Sequence, residues 1–366
     1  MIDSFFVPSF GNRPKHLVGR ETVLKQFEMV FNSVPGSRER SLLILGQRGS
    51  GKTVLLLEMA EMAKRNGFFV ADPTIVSSGM CNRIIEKLTD AHPEYSPGGH
   101  KKIAGGNVSV MGFGAGIQFN DESSKDKSFS WKIAQFCSKA NEDHHGVMIL
   151  IDEVQSNSEE LRQLIIAYQE MIGKGMNIAL VLAGLPMSVS SLLNDHVLTF
   201  LNRAVKIILP LLRIEDIELY YKNAFESLGI KLSNQMINKA ALKSCGSPYM
   251  MQLIGHYITL SYNNSISETE FEESLRYAEE AFKNDICRTT LSTLSNQDVN
   301  FLLAMTMDSE ESSVVDISTR LKKNPSFVQT YKRRLIQSGI IEVPRRGMVA
   351  FAIPYLKDYL SSIENS

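Results

Sequence analysis

The 366-residue chain is 43% hydrophobic and 22% charged, proportions that exclude a disordered, collagen-like or coiled-coil polypeptide. The length allows two or three domains with cores that need no covalent staples. The 39 basic and 40 acidic residues leave a formal charge of −1, which as an average speaks against a nucleic-acid binder. Cys81, Cys137, Cys245 and Cys287 stand far apart without zinc spacing and read as small buried hydrophobes, while His144-His145 reads as a loop before a strand. The first residues, MIDSFFVPSFGNR, lack the basic and apolar blocks of a signal peptide, and no apolar run nears the roughly 20 residues of a membrane span. A soluble, cytoplasmic protein without membrane contact is expected.

In chain order, Ser41–Leu45, Phe68–Ala71, Val147–Ile151, Ile178–Ala183 and Val205–Leu209 are apolar runs of strand length. Helical spacing lies between them at Thr53–Arg65, at Phe129, Ile133, Phe136, Cys137 and Ala140, and at Leu161, Leu164, Ile165 and Tyr168. Strands without polar alternation are buried on both faces, so residues 1–210 are expected to form an α/β unit with a helix-covered parallel sheet. Gly-rich Asn107–Phe119 reads as a hairpin inserted at 105–119, either a contact for a partner or a cover for a sheet edge.

Residues 211–288 carry no strand signal. Ser233, Pro248 and Ser267 each open an amphipathic helix, Ser267 and Glu270 fitting a capping box. The last of these helices, 267–285, holds seven acidic and two basic residues and reads as a solvated face. Residues 289–366 then give helices at Gln297–Met307, Val314–Leu321 and Ser326–Ser338, a strand at Ile340–Val343, a basic turn and a strand at Met348–Ile353. This order is a winged-helix pattern.

Two motifs carry chemistry. Gly46-Gln47-Arg48-Gly49-Ser50-Gly51-Lys52-Thr53, continued by Val54, fits G-x-x-x-x-G-K-[ST] between a strand and a helix. Glycines let backbone N–H groups turn around a polyphosphate, the helix N-terminus adds positive potential, Lys52 reaches the β- and γ-phosphates, and the Thr53 hydroxyl ligates Mg2+. About one hundred residues later, a buried strand delivers Asp152 and Glu153. Asp152 is the candidate to hold Mg2+ through water, and Glu153 the candidate to activate the attacking water.

Together these motifs resemble the AAA+ branch of P-loop ATPases, in particular the archaeal-type, initiator-like members close to the signalling (STAND) ATPases. His16-Leu17-Val18-Gly19-Arg20-Glu21, preceded by Arg13-Pro14, is similar to their "VGRE" box, which in the family approaches the adenine. Ile178–Pro186 resembles the sensor-1 strand, and Gly246-Ser247-Pro248 the lid motif whose helix start contacts nucleotide. The resemblance implies an AAA+ base domain, an all-helical lid and ATP with Mg2+ as cofactors. Arg203, just before the strand that leads to the lid, stands where the family often carries an arginine finger reaching a neighbouring subunit. Ala183-Gly184 replaces the polar sensor-1 residue and Tyr249 stands near the usual sensor-2 arginine, which implies slow hydrolysis.

The neutral total conceals a local excess. Residues 320–346 contain eight basic residues and one acid, Glu342. On the third helix of the winged-helix pattern, Val328, Tyr331 and Leu335 form an inward stripe, leaving Ser326, Gln329, Thr330, Lys332 and Arg333 to contact double-stranded DNA. Arg345 and Arg346 sit at the tip of the hairpin. The alternative is a STAND-like switch in which the lid and this basic face hold protein partners, the acidic 267–285 helix being one candidate, or support self-association.

Overall fold

The computed structural model describes residues 5–8, 17–97, 127–155, 158–196 and 198–364. Five strands, β1 (Ser41–Leu45), β2 (Phe68–Ile75), β3 (Gly146–Asp152), β4 (Ile178–Gly184) and β5 (Val205–Ile208), form one parallel sheet in the order β2-β3-β4-β1-β5. All five expected strands are present, and β2 runs four residues further than its apolar run because a register shift between Ala71 and Thr74 carries it past Asp72-Pro73. Alternate residues feed opposite faces, as the two-residue period of a strand requires. Leu42, Ile44, Met148, Leu150, Val181 and Ile207 pack on α1 (Glu21–Asn32) and α2 (Lys52–Arg65). Leu43, Ile149, Ile151, Leu180 and Leu182 pack on α3 (Met80–Ala91), α4 (Phe129–Glu142), α5 (Glu159–Gly173) and α6 (Pro186–Leu193). The insertion expected at 105–119 lies outside the described residues.

Four helices follow: α7 (Ile214–Ser227), α8 (Asn234–Lys243), α9 (Pro248–Ser261) and α10 (Glu268–Phe282). Their starts obey the local signals, with Ser233, Ser247 and Ser267 as N-caps and a complete capping box between Ser267 and Glu270. A π-helical turn, Lys283–Arg288, runs from α10 directly into α11 (Thr289–Leu291). Carboxylates of α10 pair with lysines of α8, Glu272 with Lys239 and Glu279 with Lys243, and Glu279 also pairs with Lys283 at the start of the π turn. That helix is therefore partly engaged within its own layer, beyond the solvated face expected of it.

The C-terminal elements are α12 (Asn296–Thr306), β6 (Glu311–Ser313), α13 (Val314–Leu321), α14 (Pro325–Gln337), β7 (Ile341–Glu342), β8 (Met348–Phe351) and α15 (Leu356–Glu364). β8 pairs antiparallel with β6 on one side and β7 on the other. Strand β6 is too short and polar to show in the sequence pattern; pairing with β8 makes it a strand. One continuous core joins α7–α10, the π turn and α12–α15, running from Leu212 through Phe282, Ile286 and Phe301 to Leu360.

The cysteine reading needs one correction. Cys81, Cys137 and Cys287 are buried, but Cys245 is exposed. It follows the end of α8 with φ +49°, so the chain turns outward there instead of feeding the core. His144 (φ +64°) and His145 do form the turn before β3.

Candidate functional site

The loop after β1 and the end of β3 meet at one edge of the sheet, with the end of β4 between them. Gly49 (φ +75°) and Gly51 (φ +84°) occupy the left-handed region, which lets the chain curl before α2 opens at Lys52. Lys52 Nζ donates to the carbonyls of Gly46 at 2.9 Å and Gln47 at 2.7 Å, folding back into the concavity of its own loop. Burial pushes the Lys52 ammonium down to about 8, against the pull of Asp152 and Glu153 and with a further push from Arg48. The Thr53 hydroxyl donates to Asp152 Oδ2 at 2.5 Å, and the Glu153 N–H donates to Asp152 Oδ1 at 2.8 Å. Asp152 is thereby buried and fixed, while Glu153, at φ +51°, turns its side chain outward. Ser50 Oγ is buried without a protein partner among the described residues, a polar group available to a ligand. At the end of β4, the Gly46 N–H donates to Gly184 O at 3.3 Å, and a Cβ at Gly184 would press on Val154 at 3.1 Å. A side chain at Gly184 would require Val154 to give way by a few tenths of an ångström.

Around this loop the predicted residues divide. Arg13 and Pro14 lie outside the described residues. Val18 packs against the large helical core, and Gly19 (φ +63°) abuts Leu212. Arg20 is buried, donating to Pro210 O at 2.9 Å and Ser50 O at 3.2 Å, so it ties the phosphate loop to the exit of β5. Burial lowers its guanidinium below the ordinary value, partly offset by Glu21. Arg48 is exposed, Gln47 and Val54 are half-buried, and Pro248, first residue of α9, faces Gly51 at 3.9 Å from the position of a Cβ.

Three long-range contacts, two of them at this site, gave little or no sequence signal. A Cβ on Gly49 would stand 3.2 Å from Tyr249 Cβ, 3.7 Å from Ile286 Cδ1 and 3.9 Å from Ser247 Oγ. The Tyr249 hydroxyl donates to Asp285 Oδ2 at 2.7 Å, and burial together with that carboxylate pushes the phenol well above its ordinary range. Gly339, just after α14, lies against the Gln47 side chain, 3.2 Å from its Cγ to the position of a Cβ. The third contact anchors the N-terminal residues. Phe6 sits among Tyr220, Tyr221 and Phe225, and the Val7 N–H donates to Gln252 Oε1 at 3.0 Å. Only the apolar Phe5-Phe6-Val7 run hints at this anchor.

Arg203 is exposed and sits before β5, at the end of the strand remote from the phosphate loop, since β5 and β1 run parallel with Leu45 opposite Ile208. It cannot serve the loop of its own chain.

On α14, Val328 and Leu335 are buried and Tyr331 half-buried, while Ser326, Gln329, Thr330 and Arg333 are exposed and Lys332 is half-buried. Arg345 and Arg346 are exposed in the β7–β8 turn. Three of the eight cations of this stretch are held by carboxylates outside it. Arg320 grips Asp308 through two bonds at 2.5 and 2.6 Å, Arg334 meets the buried Asp298 at 3.2 Å, and Arg345 meets Glu311 at 2.7 Å. None of the ion pairs among the described residues joins this face to α10.

Residues 16–181 match the family described as AAA ATPase domain, and residues 284–360 match a domain of unknown function (DUF8462). No curated protein matches the chain in sequence. Among solved structures, the chain is similar to the Walker-type ATPase PABY2304 of Pyrococcus abyssi, with a TM-score of 0.68 at 15% identity over 95% of this chain and 97% of that one. It is similar to the Aeropyrum pernix ORC2 protein, solved as ADPNP–ADP complexes, with a TM-score of 0.66 at 14% identity over 98% of both chains. It is also similar to Cdc6p from Pyrobaculum aerophilum, with a TM-score of 0.50 at 16% identity over 98% and 97%. The match over residues 16–181, the parallel sheet and the loop after β1 support an AAA+ P-loop fold. Its overall fold is similar to that of the Pyrococcus Walker-type ATPase and the Aeropyrum ORC2 protein. No helix among the described residues is long and apolar enough to cross a membrane.

Proposed function

We propose that the chain binds ATP with Mg2+, hydrolyses it slowly, and grips double-stranded DNA through a C-terminal winged helix. Its units are taken as a base domain (1–210), a lid (211–288) and the winged helix (289–366). The donor set at the loop suits a nucleotide: a buried ammonium folded onto loop carbonyls, glycine-built backbone and an unpartnered Ser50 hydroxyl. Thr53 and Asp152 would hold Mg2+, which when bound shields the phosphate charge. Glu153 orients water. Arg203, remote from its own loop, is assigned to a neighbouring subunit's phosphates, and Arg203→Ala should lower turnover only at protein concentrations where subunits associate.

The observation that carries the DNA reading is the division of α14, an apolar back in the core and an exposed face of Ser326, Gln329, Thr330 and Arg333 beside a hairpin tip with Arg346. The test is a duplex-DNA titration with and without ATP across a salt series. Affinity that falls steeply with salt supports the reading; salt-insensitive or absent binding removes it.

A second reading, the regulatory switch for protein partners, is favoured by the contact of Gly339 with Gln47, which ties the end of α14 to the phosphate loop. It predicts no duplex affinity, and ATP-dependent exposure of α14 to proteolysis.

A further inference from the structure

The lid bears on the phosphate loop through two neighbouring parts. Tyr249, the second residue of α9, lies with its Cβ against Gly49. Ile286, in the π turn 283–288, reaches the same glycine. The two parts are joined by the bond from the Tyr249 hydroxyl to Asp285 Oδ2, at 2.7 Å. Asp285 is exposed, and unlike Asp152, which is bonded to Thr53, and Glu153 it has no part in the metal or water chemistry assigned to the loop, so beside a polyphosphate site it is a charge of the wrong sign. A carboxylate there demands a reason, because packing alone would be served equally well by an amide.

The π turn also reaches the other way. Cys287 Sγ lies 3.6 Å from Pro354 O, and Lys283 and Phe282 meet the ring of Tyr355 at 5.9 and 6.0 Å. Ile286 thus faces the phosphate loop and Asp285 is linked to it through Tyr249, while their neighbours hold the segment leading into α15. A π turn carries an extra residue relative to the α-helix around it, and such turns recur at functional sites.

We propose that Asp285, held beside the phosphate loop by Tyr249, sets the preference of the site for a nucleoside diphosphate over a triphosphate. This rests on the reading of 46–53 as a nucleotide phosphate loop. The third phosphate adds negative charge on the side where the lid closes, and near a protein surface like charges repel more strongly than in bulk water. A diphosphate leaves the Tyr249–Asp285 bond in place. A triphosphate favours its release, which shifts the π turn that contacts Pro354. Asp285 is a specificity-determining group, and Tyr249 positions it.

The experiment measures the Kd of ADP and of a non-hydrolysable ATP analogue on the full chain, with Mg2+, for the unsubstituted protein, Asp285→Asn and Tyr249→Phe. Asparagine keeps an acceptor for the Tyr249 hydroxyl and removes the charge; phenylalanine keeps the ring against Gly49 and releases Asp285. The triphosphate-to-diphosphate Kd ratio should fall at least about threefold in Asp285→Asn, through tighter triphosphate binding, and should fall in Tyr249→Phe as well. The gain should shrink as ionic strength rises. A ratio unchanged in both variants, or a gain indifferent to salt, overturns the proposal and leaves the phosphate-loop reading intact. Failure of the unsubstituted protein to bind either nucleotide, with Lys52→Ala no different, removes both.

Discussion

The Thr53 hydroxyl and the Asp152 carboxylate, 99 positions apart in the chain, are bonded at 2.5 Å. The pair closes the space between the start of α2 and the end of β3, so a cation there must replace the bond with its own. Thr53→Ala and Asp152→Asn are expected to abolish the effect of Mg2+ on ATP affinity while sparing metal-free binding. Titrations with Mg2+ and with a chelator test this; Mg2+ dependence retained in both variants would remove the pair from the metal site.

Lys52 anchors the phosphates. Lys52→Ala should weaken nucleotide binding on the order of a hundredfold, because a charge-assisted bond is lost in a buried site. The burial that lowers its ammonium to about 8 also gives a pH signature. In the free protein the group loses its proton above pH 8, whereas bound phosphate raises its affinity for that proton. Nucleotide affinity should therefore be flat below pH 8 and decline as pH rises through it, by up to about tenfold per unit. Calorimetry at pH 8.5 in buffers of different ionisation heat should register proton uptake on binding; proton release would contradict the assignment.

Glu153→Gln should retain ATP and lose turnover by about a hundredfold or more, since the amide cannot take a proton from water. Single-turnover hydrolysis measures this. Undiminished turnover dismisses Glu153 from that role.

The ion pairs sort the basic residues. Arg333 and Arg346 are exposed, whereas Arg320 is committed to Asp308 and to Ala304 O. Arg333→Ala and Arg346→Ala should each reduce the salt slope of duplex binding by about one without affecting stability. Arg320→Ala should act in reverse, lowering the unfolding midpoint while the slope persists.

Phe6 fills a space that only glycine at 255 leaves open, since a Cβ there would overlap its ring. Phe6→Ala should cost about 3–4 kcal/mol and Gly255→Ala about 1–3 kcal/mol in denaturant unfolding. Midpoints unmoved in both variants would detach the N-terminal residues from the helical core.

The sequence by itself determined the sheet and the loop. Continuous apolar runs mark strands buried on both faces, caps such as Ser267 act within one turn, and the Gly46–Thr53 and Val147–Glu153 motifs are local chemistry. It did not announce β6, whose three residues become a strand only through β8, nor the exposure of Cys245, which a left-handed turn decides. The net charge of the basic stretch was legible as a count but not as a surface, because Asp308, Asp298 and Glu311 reach it from other elements. Tertiary structure alone brought Tyr249 to Asp285, Gly339 to Gln47 and Phe6 to Gly255. Each of these is a contact between residues many turns of chain apart, and no periodicity or spacing encodes which distant side chains the packed core will bring face to face.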